Sequence, residues 1–248
     1  MKKKLKRYAV ALLLLPVCYG AAVGLWDILH RFKDVPEGSF YFLSGMTSYF
    51  AFQWVFFRPI RTYVFGHELS HALAAWVSGA KVKHFHVSKK GGSVTVSKSN
   101  FFVALAPYIL PLYSLITMAV FFAGSYFYPI LRIYWRSFLW FLGGTVGFHM
   151  ALTAYALKMD QPDLKATGKF LSAVIIYLGN TAAIVFLLGV LFPRTVSWQR
   201  FAKVSGQEAM TAMKQVGKGT QIVWQSAAKT LAVPPEHRER EAGHVVRH

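Results

Sequence analysis

"YVFGHELSHALAAW", residues 63–76, sets two histidines and a glutamate inside a run that otherwise reads as apolar helix. His67 and His71 are four apart, so on a helix they project from one face about one turn from each other, within reach of a single zinc ion. Glu68 then stands beside the metal without ligating it. Its carboxylate is placed to take a proton from water held by the ion, whose pKa falls to roughly 7, and to pass it to a leaving amine. This is the HExxH pattern of zinc hydrolases. Two imidazoles and a carboxylate are costly in hydrocarbon unless they are paired or metallated, so the triplet itself asks for a metal.

The surroundings of the triplet read as membrane. Of 248 residues, 54% are hydrophobic and 16% aromatic, and the mean hydropathy is positive, which is too apolar for a soluble domain of this length. Apolar runs of the length that crosses a bilayer, about 20 residues, lie at 8–29, 40–57, 60–79, 101–127, 133–157 and 164–192. The run at 60–79 either spans or dips in and returns. The start, "MKKKLKRYAVALLLLPVCYGAAVGLWDIL", has the charge pattern of a secretory signal, but its apolar run outlasts a signal core and is read as an uncleaved first span. Between the helices, "KVKHFHVSKKGGSVTVSKS", residues 81–99, alternates like two short strands around Gly91 and Gly92.

The fold expected is therefore an all-α polytopic membrane protein of about six transmembrane or re-entrant helices, with a small β-hairpin after the HExxH helix. Three regions follow: two N-terminal transmembrane helices in 1–59, a core carrying the motif, hairpin and three further helices in 60–192, and a basic tail in 193–248.

The formal charge of +18 does not point to nucleic acid, because the cations gather at span ends and in the tail instead of on a folded basic domain. The tail holds nine Lys or Arg against four Glu, with Trp198, Phe201, Ala209, Met213, Val216, Val223 and Ala227 at loosely helical spacing. It reads as an amphipathic helix on anionic lipid, followed after Pro234 and Pro235 by a disordered end. The single cysteine, Cys18, excludes a disulfide framework and any multi-cysteine metal site.

A catalytic zinc needs a third protein ligand. No third histidine follows the motif at metzincin spacing, and the later glutamates, Glu208, Glu236, Glu239 and Glu241, all lie in the basic tail. The aspartates downstream are Asp160 and Asp163 of "KMDQPDLKATG". Asp163 follows Pro162 and opens the last long apolar run, where a helix N-terminus holds a carboxylate rigidly. Asp163 is the expected ligand. Asp160 and His149 of "GFHMALT" remain alternatives, His149 also being readable as a helix-packing residue or a partner to a ligand.

A membrane-embedded HExxH helix, a glycine-containing hairpin, a proline-interrupted apolar helix and a distal aspartate beside a proline together resemble the site-2 protease family of intramembrane zinc metalloproteases, over roughly residues 60–180. "FGHELSHALAAWVSG" matches the first motif of that family. "ALAPYILP" stands where the family often has a small-residue stretch with glycine and proline, here without the glycine. "DQPDLKATG" stands where an asparagine, prolines and a leucine-aspartate-glycine run are usual. The resemblance implies His67 and His71 as ligands of Zn2+, Glu68 as base, and hydrolysis of peptide bonds in transmembrane or membrane-anchored substrates, as in regulated intramembrane proteolysis. A bacterial cytoplasmic membrane is the expected location. The other class to weigh is a non-proteolytic zinc-binding scaffold or transport-like bundle, which the presence of Glu68 disfavours.

Substrate helices must unwind before hydrolysis, and a strand edge between Lys81 and Val96 offers a place to hold the unwound peptide. Charge raises a conflict over topology. If every segment spans, the hairpin lysines fall on the side opposite the N-terminal lysines, against the positive-inside tendency. Either the HExxH helix is re-entrant, or the site lies at mid-depth with later helices broken at Pro107, Pro111 and Pro162.

Overall fold

A computed structural model describes residues 2–32, 36–88, 91–159 and 161–232. Asp160, Lys89, Lys90 and the segment beyond Pro234 and Pro235 lie outside the described residues. The helices are α1 (Lys2–Arg31), α2 (Pro36–Val55), α3 (Ile60–Val77), α4 (Phe101–Ile109), α5 (Leu112–Phe127), α6 (Trp135–Lys158), α7 (Pro162–Thr167), α8 (Lys169–Leu191) and α9 (Trp198–Ala232). Between α3 and α4 stands one antiparallel hairpin, β1 (Val82–Ser88) and β2 (Gly91–Val96), pairing Phe85 with Val94 and Ser88 with Gly91. The architecture is that of a multi-pass, mostly helical membrane protein.

Among the described residues, three helical stretches are long and apolar enough to cross a membrane: α1, Pro129–Lys158 and α8. α4 and α5 make a fourth only as a bent pair. The apolar run at 101–127 is one segment by composition but two helices in space, bent by 69°, because Pro111 has no N–H with which to continue the ladder. Pro107, in contrast, sits inside α4 without ending it. The run at 164–192 is also divided. Gly168, at φ +98°, takes a conformation that side chains resist, and it separates the six-residue α7 from α8. α2, expected as a span from composition, and α3, left open between a span and a segment that dips in and returns, both fall short of that measure. α3 does so because it carries the polar triplet.

The main core gathers Phe42 of α2, Met118 of α5, Phe138, Leu139 and Leu142 of α6, and Leu187, Leu188 and Leu191 of α8. Phe42 and Met46 lie directly against the backbone of α6 at Gly143 and Gly147. Within a bilayer such contacts hold by van der Waals fit, and small residues let the two backbones close. A second cluster, Leu105 and Tyr108 of α4, Ala156 of α6, Leu164 of α7 and Ile176 of α8, lies beneath the motif helix. Leu164 is thus the anchor that seats α7, one residue from Asp163.

The tail forms one long helix, and the first part of its apolar face is covered from within the molecule. α9 runs antiparallel to α1: Arg200 pairs with Asp27 through two hydrogen bonds of 2.7 and 2.8 Å, and Phe201, Ser205 and Ala209 meet Gly24 and Gly20. Trp198 stacks on Phe186 of α8. Farther along, Met213, Val216 and Val223 stay exposed. Periodicity shows that a helix has an apolar face; it does not show what covers that face.

Candidate metal centre

α3 delivers His67, Glu68 and His71 together. The four-residue spacing brings the imidazoles onto one face with ring centroids 4.9 Å apart, and Glu68 and His71 are both buried. α7 brings Asp163 to them. Its Oδ2 lies 3.3 Å from His71 Nε2 and 3.7 Å from His67 Nε2, and one ligand atom from each of the three residues falls within 4.8 Å of the others. His149 is not in this group. Its Nε2 donates to Asn180 Oδ1 at 2.9 Å, and Asn180 Nδ2 in turn donates to the carbonyls of Tyr108 and Ile176, so this histidine ties α6 to α8 and α4.

The ring of His71 has its orientation fixed by a proline. Pro107 cannot donate to the carbonyl four residues before it, which is Val103. That carbonyl instead accepts a hydrogen bond from His71 Nδ1 at 2.8 Å. A carbonyl only accepts, so Nδ1 carries the proton and Nε2 is the nitrogen left to face Asp163. An imidazole lone pair set against a carboxylate repels it unless a cation lies between them. Two such nitrogens and a carboxylate oxygen are a donor set suited to zinc, and the Val103 carbonyl is the outer partner that zinc-bound histidines ordinarily have. On the other ring, His67 Nδ1 lies 3.2 Å from the Tyr63 hydroxyl, one turn earlier on α3. The Tyr108 hydroxyl reaches Asp163 Oδ2 at 3.5 Å.

The hairpin closes over this group. A cavity of about 500 Å³ is bounded by α3, by Gly92 and Val94 of β2 and by Pro162 and Asp163 of α7. Glu68 and Val94 both line this cavity, and the Glu68 side chain lies against β2 at Gly92. The approach is close: a β-carbon at Gly92 would collide with Glu68 Cγ and Val64 Cγ1. The Ser97 N–H is spent on the Lys81 carbonyl of the other arm, and because strand groups alternate, the backbone groups of Gly92, Val94 and Val96, which line the cavity, point away from β1.

The motif spacing alone shows His67, Glu68 and His71. The supporting groups Tyr63, Val103 and Pro107 escape such a reading, although Tyr63 stands four residues before His67 and Pro107 four after Val103, spacings a helical reading can use.

No curated protein and no solved structure matches this chain. One family model does, that of the Peptidase M50B-like proteins, a site-2 protease family, and it matches residues 43–224, which take in the motif helix, the hairpin, Pro107 and Asp163. The chain carrying this histidine, histidine and aspartate cluster therefore belongs to the Peptidase M50B-like family.

Proposed function

We propose that the protein is an intramembrane zinc metalloendopeptidase that hydrolyses peptide bonds of transmembrane or membrane-anchored substrates. The observation that carries this reading is the meeting of His67, His71 and Asp163 in one cavity that also holds Glu68 and a strand edge. His67, His71 and Asp163 would hold the ion, which when bound supplies Lewis acidity and water acidified to a pKa of about 7. The remaining work falls to the chain. Glu68, beside the cavity and against β2, serves as general base and then as proton donor to the departing amine. The backbone of β2 at Gly92 and Val96 lines an extended peptide along the site by strand addition.

A non-proteolytic zinc scaffold explains the three ligands but gives no work to Glu68, which stands next to them without being one of them. Orientation follows from charge. α7 carries Asp163 in the site and Lys165 beside the N-terminal end of α1, so the site opens near the face that holds the lysines of α1. By the positive-inside tendency that face is cytoplasmic, which favours the arrangement with the hairpin returned to that side, in a bacterial cytoplasmic membrane. The exposed second half of α9, with Lys214 and Lys218, is the part of the tail available to anionic lipid.

The test uses the full chain purified in detergent: bound metal is quantified, and a panel of membrane-spanning peptides is offered to wild type and Glu68→Gln. Zinc in both proteins with cleavage by the wild type alone supports the reading. Zinc without cleavage of any peptide in either protein transfers the case to the scaffold.

A further inference from the structure

Gln161 stands two residues before Asp163, so their Cα atoms lie within about 7 Å of each other, and it lines the same cavity. Its backbone is fixed where α7 begins. Pro162 keeps the residue before it out of the helix, and Gln161 is accordingly extended, at φ −78° and ψ 129°. Its N–H donates to the Met159 carbonyl at 3.0 Å, and its carbonyl accepts from the Lys165 N–H at 3.2 Å. α7 is itself seated by the buried Leu164 and by the Thr167 hydroxyl, which donates to the Asp163 carbonyl at 2.7 Å. The side chain of Gln161 is left over from this. It makes no capping bond to α7, and its amide has no partner among the described residues.

Peptide hydrolysis has a use for such an amide. When water adds to the scissile carbonyl carbon, its proton passes to Glu68 and the π-electron pair moves onto the carbonyl oxygen, which becomes an oxyanion. That pair returns as the C–N bond breaks, and the nitrogen leaves with the bonding pair and takes the proton from Glu68. In the interval the oxygen is stabilised by donors fixed in advance. The other polar groups of the cavity are spent or turned away. Glu68 and Asp163 accept when ionised, and the His71 Nδ1 proton is given to Val103. The Tyr63 hydroxyl and His67 Nδ1 engage each other. Ser93 alternates with Gly92 and Val94, so its side chain turns to the opposite face of β2, and Ser99 lies three residues past Val96, the end of that strand.

We propose that the Gln161 side-chain amide is the oxyanion donor of the site: its Nε2–H donates to the scissile carbonyl oxygen as charge develops there, and no proton is transferred. This rests on the reading of the protein as a peptidase, and it adds a neutral donor to a cavity whose other reactive groups are ligands or a base.

The experiment uses the full chain in detergent and a membrane-spanning peptide that the wild type cleaves. kcat and KM are separated for wild type, Gln161→Ala and Gln161→Glu, with bound zinc and melting temperature measured alongside. Both variants should lose about a hundred-fold in kcat, with KM, zinc content and melting temperature near those of wild type. A second readout needs no turnover. A phosphinic peptide of the same sequence, whose tetrahedral phosphorus oxygens copy the oxyanion, should bind Gln161→Ala about a hundred-fold more weakly than wild type. The substrate peptide should bind Glu68→Gln and Glu68→Gln/Gln161→Ala equally. Wild-type kcat and wild-type phosphinic affinity in Gln161→Ala overturn the proposal. A loss confined to KM overturns it too, because that marks a contact made equally in the ground state, and so does a loss of zinc that accounts for the lost rate. Absence of cleavage by the wild type is a separate result, seen before any Gln161 variant is made: it overturns the peptidase reading and takes this proposal with it.

Discussion

His71 and His149 are both histidines held inside the helical bundle, and each has a ring nitrogen engaged by a good hydrogen bond, yet they belong to different chemistry. At His149 the nitrogen meets Asn180, an amide whose own donors are spent on the carbonyls of Tyr108 and Ile176. The network ties helices together and requires no ion. At His71 the bond to Val103 leaves the second nitrogen aimed at Asp163, with His67 alongside. The first arrangement satisfies polar groups in pairs; the second gathers three groups that share one unmet need for positive charge. Burial and hydrogen bonding do not separate a ligand from a packing residue. What the remaining nitrogen faces does.

Substitutions can break that contrast or sharpen it. The largest expected effect is on turnover: Glu68→Gln should lower peptide cleavage by about a thousand-fold with zinc content unchanged, because only the base is removed. Cleavage of a membrane-spanning peptide together with metal analysis checks both halves. Next come the ligands. His71→Ala and Asp163→Asn should each weaken zinc binding by more than about a hundred-fold in a graded chelator series. Zinc held by Asp163→Asn as tightly as by wild type would require a different third ligand, and His149→Ala and Asp160→Asn are the variants to measure beside it.

A smaller effect belongs to Pro107→Ala. The restored N–H competes with His71 for the Val103 carbonyl, and since that oxygen accepts two bonds the loss in zinc affinity should be only about ten-fold. The melting temperature should be unchanged or higher, which separates a positioning role for Pro107 from a structural one. The smallest effect on metal is that of His149→Ala. It should leave zinc affinity near wild type while costing about 1–3 kcal/mol in stability, because Asn180 loses its partner. Zinc loss in that variant comparable to His71→Ala would erase the distinction between the two histidines.

Much of the site is legible in the sequence because it is local. An i, i+4 pair shares a helix face whatever surrounds it, so His67, Glu68 and His71 follow from spacing, and the hairpin follows from alternation around two glycines. Asp163 is legible only as one of three choices. Nothing in "KMDQPDLKATG" shows that Leu164 is buried against Leu105 and Tyr108 and so turns the neighbouring carboxylate toward α3. The spacing of apolar residues in the tail shows an amphipathic helix, but its covering by Gly20 and Gly24 of α1 depends on which two surfaces meet.

By itself, the sequence determined that this chain lives in a membrane, that one helix presents two imidazoles and a carboxylate, and that acids able to join them are scarce. Those conclusions rest on composition and on helix geometry within one turn, which no distant contact alters. Only the tertiary structure decided that Asp163 meets the two histidines while His149 bonds to Asn180, and that the bend before Pro111 leaves Pro107 inside α4 with the Val103 carbonyl turned to His71. Each of these joins residues far apart in the chain, and such meetings are set by how whole helices pack, not by the spacing of residues along any one of them.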